Sequence, residues 1–246
     1  MDGVLLIDKP AGITSHDVVA RVRRAFAGAR TGHAGTLDPF ATGLLLVLVG
    51  RATKSQDRLM ALSKRYETVA QLGASSSTGD TEGVVTQTGR LPPDPPKLAT
   101  GEVRQRPPAH SAVKIKGERA YKRARRGELI EMPARIVTVH SFEQSWREPD
   151  AEHPGLERAG YEIECGSGTY VRSLIADLGD AYCLELRRTA IGPFRVEDAV
   201  APPERGELWA KTDEAGASAR SASAPREPAL LELERALAML PAGRAQ

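Results

Sequence analysis

The sequence predicts an α+β fold organised on a mostly antiparallel sheet. Short apolar or alternating runs recur at Gly3–Asp8, Leu44–Val49, Lys64–Gly73, Ala134–Trp146 and Gly160–Cys165, and they outnumber the stretches with helical period. The helical stretches fall at irregular intervals, unlike the regular alternation of a doubly wound parallel sheet. The sequence has neither a GxGxxG fingerprint nor a Walker loop to mark a nucleotide-binding strand–helix unit.

Gly3 to Asp8 is a short apolar strand, and Pro10 and Gly12 turn the chain after it. Thr14 or Ser15 then caps a helix. Asp17 favours the positive end of its dipole, and Val18, Val19, Val22 and Phe26 form its apolar stripe, leaving Arg21, Arg23, Arg24 and Arg30 outward. Leu44–Val49, the most apolar run, reads as a buried strand between Gly43 and Gly50. Arg51–Ser63 reads as a second helix. In Lys64–Gly73, Tyr66, Thr68, Ala70 and Leu72 share one strand face. The polar loop Ser75–Gly83 and the short strand Val84–Thr88 indicate a hairpin, and Leu91–Gly101 is a proline-rich connection.

Beyond it, a strand is expected at about Ser111–Ile115, a turn at Lys116 and Gly117, and a basic helix from Glu118. Ala134–Trp146 is extended and Glu148–Ala159 is loop-like. After the strand Gly160–Cys165, Gly166 and Gly168 turn the chain into a helix with Val171, Leu174, Ile175 and Leu178 on its buried stripe. Leu184–Val200 is a closing strand and turn, Ala215–Pro225 has the composition of a flexible segment, and Ala229–Leu240 is a last amphipathic helix.

At 246 residues and 41% hydrophobic, the chain can bury a substantial core. A net charge of only +2 does not by itself announce a nucleic-acid partner, but Lys114 to Arg126, KIKGERAYKRARR, sets seven basic residues against one acid. Cys165 and Cys183 lack metal-ligand spacing and read as reduced core thiols, so a cytoplasmic location is expected. MDGVLLIDKP lacks a basic n-region, and the sequence holds no apolar run of the roughly 18 to 20 residues that span a bilayer.

The stretch Thr31–Gly43, TGHAGTLDPFATG, packs small residues around one carboxylate, Asp38, with His33 just before it. Pro39 biases Asp38 away from the helical region, which suits an acid held at a rigid bend. Four blocks then stand in order: KPAGITSHD from Lys9, GHAGTLDPFATG from Gly32, RPPAHSAVKIKGERAYKRARRG from Arg106, and GTYVRSLIADLG from Gly168. Together they resemble the TruB-type tRNA pseudouridine synthases, over about Gly3 to Ala199.

The resemblance implies the pseudouridine synthase fold, a long, curved, mainly antiparallel sheet flanked by helices with RNA-binding insertions. It implies that uridine at position 55 of the tRNA T-loop is converted to pseudouridine by base flipping, with no cofactor and no metal. Asp38 matches the family's catalytic aspartate, Tyr66 the tyrosine that stacks on the target base, and Arg172 the arginine that pairs with the aspartate. His33 matches the histidine that occupies the space left by the extruded base, and Tyr170 and Leu186 line the uridine pocket. Lys9, Lys114, Lys116, Arg119, Lys122 and Arg123 fall in segments that resemble those which shape the site and hold the RNA, and they are expected to bind RNA. Partners are tRNA alone: no membrane and no protein partner are implied, and a monomer is expected.

The expected organisation is a catalytic domain at 1–200, a linker-like segment at 201–228 and a C-terminal helix at 229–246. The PUA-type domain common in the family is expected to be absent or truncated, and with it weaker or less discriminating tRNA binding than a full-length relative's, with catalysis retained. A second departure is the connection from Gly179 to Leu186, where DAYCLE replaces a longer family segment. Taken singly, Tyr66, Tyr170 and Leu186 would be packing residues, Arg172 a surface ion pair and His33 a loop hydrogen-bonder. A non-catalytic RNA-binding protein with the same cleft is the alternative, though a binder has no need of a carboxylate facing a polyanion. A glycoside or nucleoside hydrolase would need a second carboxylate as general acid, which no motif supplies.

Overall fold

The computed structural model describes residues 2–108, 111, 113–115, 117–120, 123, 126–128, 130–204 and 230–240. In chain order the elements are β1 (Gly3–Lys9), α1 (Ser15–Ala25), β2 (Thr31–His33), β3 (Thr42–Val49), α2 (Gln56–Met60), β4 (Lys64–Leu72), β5 (Ala74–Ser76) and β6 (Val85–Gln87). There follow β7 (Gly101–Gln105), β8 (Lys114–Ile115), β9 (Glu118–Arg119), β10 (Arg135–Pro149) and β11 (Glu157–Cys165). The last are α3 (Val171–Ala176), β12 (Ala181–Ile191), β13 (Phe194–Arg195), β14 (Leu231–Glu232) and α4 (Leu233–Ala238). The chain forms two compact units, Met1–Leu62 with Arg187–Gln246, and Ser63–Leu186.

In the first unit β3 is the hub. It pairs antiparallel with β1, from Gly3↔Val49 to Lys9↔Gly43, and with β2. The end of β12 joins it in parallel, Arg187↔Thr42 and Arg188↔Gly43. Both faces of β3 are buried, which explains why its sequence is continuously apolar instead of alternating. Leu44, Leu46 and Leu48 pack with Val4, Leu59, Ile191 and Phe194, while Leu45, Val47 and Val49 pack with Leu5, Ile7, Val18 and Val22. At about 1.5–3 kcal/mol for each such side chain, this strand contributes a large share of the hydrophobic stabilisation of the unit. A Cβ on Gly43 would lie 2.3 Å from the Arg188 carbonyl oxygen, and its φ is +99°, so only glycine lets β12 approach here.

Thr14 is the N-cap of α1. Its hydroxyl accepts from the Asp17 amide at 3.0 Å, and Asp17 accepts in return from the Thr14 amide at 2.9 Å. The helix expected over Arg51–Ser63 is instead a 3-10 turn at Gly50–Ser55 followed by the five-residue α2. Gly50, at φ +62°, turns the chain out of β3, and the Thr53 hydroxyl bonds the Gly50 carbonyl, which closes a tight turn. The last helix also begins later than expected: Leu231 and Glu232 extend the sheet beside Val4 and Gly3, and α4 starts at Leu233.

The second unit is built on β4, β11, β10 and β7, all antiparallel, with Tyr66↔Ile163 and Val137↔Val103 in register. The even-numbered face of β4 is buried, as its alternation predicts. β5 and β6 form the expected hairpin. Of Glu148–Ala159, residues 150–156 form the expected loop, and only the two ends are strand, since β10 runs to Pro149 and β11 starts at Glu157. The first two residues of the basic helix expected from Glu118 are strand, because Glu118 and Arg119 pair with Ile115 and Lys114; among the described residues, helical geometry is found at Ala120 and Arg123.

Asp150 closes the β10–β11 turn. Its buried carboxylate accepts from the amide of Glu152 at 2.9 Å and from Arg158 at 3.1 Å, and His153 Nδ1 lies 3.2 Å away. Burial pushes this acid up, but these bonds outweigh it and hold Asp150 well below the usual carboxylate range. Asp17, bonded by Thr14, and Asp180, bonded by Arg90 and Thr88, are lowered too. A depressed carboxyl contributes stability that is present above its unfolded value, roughly 3.9, and lost as pH falls through the folded one. Denaturant midpoints should therefore drop steeply below about pH 4. Asp150→Asn should lower the midpoint at neutral pH and flatten that acid limb, as urea titrations along a pH series would show.

Among the described residues no helix is long and apolar enough to cross a membrane. Among them, too, no group of three or more His, Cys, Asp or Glu side chains could hold a metal ion.

Candidate active site

The loop between β2 and β3 carries Asp38 and is fastened on each side of it. Ser15 is buried at the start of α1, and its hydroxyl accepts from the Leu37 amide at 2.9 Å and donates to the Leu37 carbonyl at 3.1 Å. The Pro39 carbonyl accepts from the Gly12 amide at 2.9 Å and from Lys9 Nζ at 3.2 Å. The Asp38 carbonyl itself accepts from the Ala41 amide at 3.2 Å. Both neighbours of the half-buried acid are thus bonded into the frame, as a pre-organised catalytic group requires. His33 ends β2 opposite Val47, and its carbonyl accepts from Gln56 Nε2 at 3.1 Å.

Lys9 is 0% exposed, and its ammonium also donates to the carbonyls of Pro10 and Ile13, each at 2.8 Å. The RNA contact expected of Lys9 is therefore replaced by a structural role: a fully buried ammonium presents no surface to a phosphate, and here it ties the β1–α1 turn to the Asp38 loop. Arg188, 1% exposed, does the same from β12. Its Nε donates to Leu44 O at 2.7 Å, Nη2 to Gly35 O at 3.0 Å and Nη1 to Thr36 O at 3.4 Å. Arg188→Met should cost on the order of 2–3 kcal/mol, because the buried Leu44 carbonyl and the partly buried bonds to Gly35 and Thr36 lose their donor. Arg188→Lys should recover only part of this, since an ammonium lacks the planar fork. Urea titration of both variants measures the difference.

In the second unit, Tyr170 and Arg172 share the start of α3, Tyr66 lies on β4 and Leu186 on β12, the last two buried. Arg172 is 3% exposed. Its Nη1 donates to Asp80 Oδ2 at 2.9 Å and to Thr78 O at 2.8 Å. Asp80 is itself held: its second oxygen accepts from the Glu82 amide at 3.0 Å, and its carbonyl accepts from the Ser76 hydroxyl at 2.6 Å. Gln105, fully buried at the end of β7, brackets Tyr170 like a paired peptide, accepting from the Tyr170 amide at 2.8 Å and donating to its carbonyl at 2.9 Å. The guanidinium of Arg135 stands 4.9 Å from the centroid of the Tyr170 ring, within cation–π range.

Asp80, Gln105, Ser15 and Arg188 are the residues that sequence reasoning missed. Arg188 had a signal, since period-two alternation in LELRRTAI puts it on the same side as Leu186 and Ala190. The shortened connection before Leu186 poses no difficulty: α3 ends at Ala176, Gly179 turns the chain, and β12 begins at Ala181.

Within the basic block, Arg123 is paired with Glu128 at 2.6 Å, and Arg126 with Glu118 and Glu128, both at 2.7 Å. Lys114 and Arg119 lie on β8 and β9, with their side chains outside the described set. Lys116 and Lys122 lie outside the described residues.

Chains of similar fold are known. One chain of a Cbf5–Nop10–Gar1 complex superposes with a TM-score of 0.59 at 30% identity, covering 81% of this chain and 52% of that one. A chain from an H/ACA RNP bound to a substrate RNA containing 2'-deoxyuridine gives 0.56 at 27% identity, covering 81% and 50%. This chain thus spans about half the length of those two. The model of the TruB family pseudouridylate synthase N-terminal domain matches residues 23–171, which sets the class as a pseudouridylate synthase. The α+β fold, mainly antiparallel in its described pairings, is that of this class.

Among curated relatives, tRNA pseudouridine synthase B of Thermobifida fusca is 46% identical over 213 residues, 80% of this chain and 72% of that protein. The Mycobacterium leprae protein of the same name is 44% identical over 229 residues, 84% and 69%. The chain belongs to the TruB family of pseudouridylate synthases.

Proposed function

We propose that this chain isomerises uridine to pseudouridine in tRNA, at position 55 of the T-loop, without a cofactor. The observation that carries the reading is its 46% identity to a tRNA pseudouridine synthase B. The bond between ribose C1′ and N1 of uracil breaks, the base turns, and C1′ joins C5. C5 then loses its proton and N1 gains one, so nothing is oxidised, hydrolysed or lost.

Asp38 acts either as a nucleophile on C1′ or as a base at C2′ on a glycal route, and its charge favours the cationic character that develops on the sugar. The target uridine must leave its stack, and Tyr66 offers a ring against it, worth roughly 1 to 3 kcal/mol. Arg172, anchored by Asp80, supplies positive charge to the catalytic set. His33 occupies the space left in the RNA, Tyr170 and Leu186 line the pocket, and Lys114, Lys116, Arg119, Lys122 and Arg123 hold the strand. The working form in this reading is a cytoplasmic monomer; the buried cysteines Cys165 and Cys183, which form no disulfide, fit a reducing compartment.

Incubation with unmodified tRNA followed by chemical mapping of pseudouridine tests the reading. One isomerised base in the T-loop is the expected result. Unchanged RNA or released uracil would overturn it.

A further inference from the structure

We propose that a cavity in the second unit is a subsite for a backbone phosphate of the RNA strand, built on Arg104 and Arg106. The inference rests on the RNA-modifying reading above. The cavity has a volume of about 570 Å³ and lies between the turn Ser76–Gly79, the end of β7 and α3.

Among the arginines of this unit with described side chains, Arg65, Arg90, Arg123, Arg126, Arg147, Arg158 and Arg172 each bond a carboxylate. Arg135 bonds the Gly168 carbonyl and faces the Tyr170 ring. Arg104 and Arg106 are the two that do neither: both are exposed, and among the described residues neither guanidinium has an ion pair or hydrogen bond. Both line this one cavity.

The neighbouring charges reinforce the point. Arg172 is matched by Asp80, which leaves Arg104 and Arg106 facing one carboxyl, Asp177, at the end of α3. Even with Asp177 ionised the cavity carries a net positive charge, and burial pushes that acid up, which disfavours its charged form. The Ser77 hydroxyl accepts from the Val84 amide at 2.9 Å and keeps its own hydrogen for an acceptor. Two guanidinium forks and a hydroxyl donor suit the oxygens of a phosphate. The wall formed by α3 begins at Tyr170 and Arg172, so a phosphate seated here belongs to the same stretch of strand as the target nucleotide.

The test is a fluorescence-anisotropy titration of a labelled T-arm hairpin at a series of salt concentrations. Arg104→Gln/Arg106→Gln should reduce the slope of log Kd against log salt by about 0.7, the share of the one phosphate left without its arginines. Arg104→Lys/Arg106→Lys should recover most of it. Arg90→Gln, whose charge is matched by Asp180, should leave the slope as in the parent. A parent slope in the Gln double variant would overturn the proposal. So would inorganic phosphate displacing the hairpin from the Gln double variant as strongly as from the parent, beyond chloride at equal ionic strength, since the anion would then act elsewhere. Binding is read apart from turnover, so a changed slope without pseudouridine would sink the functional reading alone, and pseudouridine with an unchanged slope would sink only the subsite.

Discussion

Asp38→Asn should lose at least about 10³-fold in the rate of pseudouridine formation, on the order of 4 kcal/mol of transition-state stabilisation, while RNA affinity changes little. The amide is nearly isosteric with the carboxylate, so the bonds that fasten the loop, which run to the backbone of Leu37, Asp38 and Pro39, persist. What disappears is the negative charge and with it both routes open to the acid, attack at C1′ and proton abstraction at C2′. Single-turnover assays with mapped tRNA, beside a binding titration, separate the two effects. Turnover near the parent rate would remove Asp38 from the mechanism.

Asp80→Ala should destabilise the protein by about 3–5 kcal/mol, the cost of removing one partner from a buried ion pair. Arg172 and Asp80 expose only 3% and 4% of their side chains, so Arg172 would lose this carboxylate in a place that water reaches poorly. The Glu82 amide and the Thr78 hydroxyl would lose their acceptor as well. Asp80→Asn with Arg172→Met should be less destabilised than Asp80→Ala, since no charge is then left behind, although Arg172→Met should itself abolish turnover. Urea midpoints of the variants measure the coupling. Independent, additive losses would show that the pair does not act as a unit.

Much of the candidate site was legible because its residues sit in runs of neighbours. Asp38 and His33 fall in one thirteen-residue stretch, and Tyr170 and Arg172 flank one helix start. The supporting shell was not legible, since its members come from far along the chain. Ser15 lies 22 residues from Leu37, Gln105 lies 65 from Tyr170, Asp80 lies 92 from Arg172 and Arg188 lies 153 from Gly35. No local pattern distinguishes the buried Lys9 from a surface lysine; only its three carbonyl partners do.

The sequence alone determined the elements whose cause is local: the two-faced apolar strand β3, the capping box of α1, the alternation of β4 and the loop that presents Asp38. Only the tertiary structure decided which charges are buried and which meet partners. It turned Lys9 and Arg188 into braces, gave Arg172 to Asp80, and left Arg104 and Arg106 facing an open cavity. The physical reason is that a charged side chain's role depends on the desolvation and the hydrogen-bonding groups around it, and those are supplied by strands and turns that are neighbours in space and not along the chain.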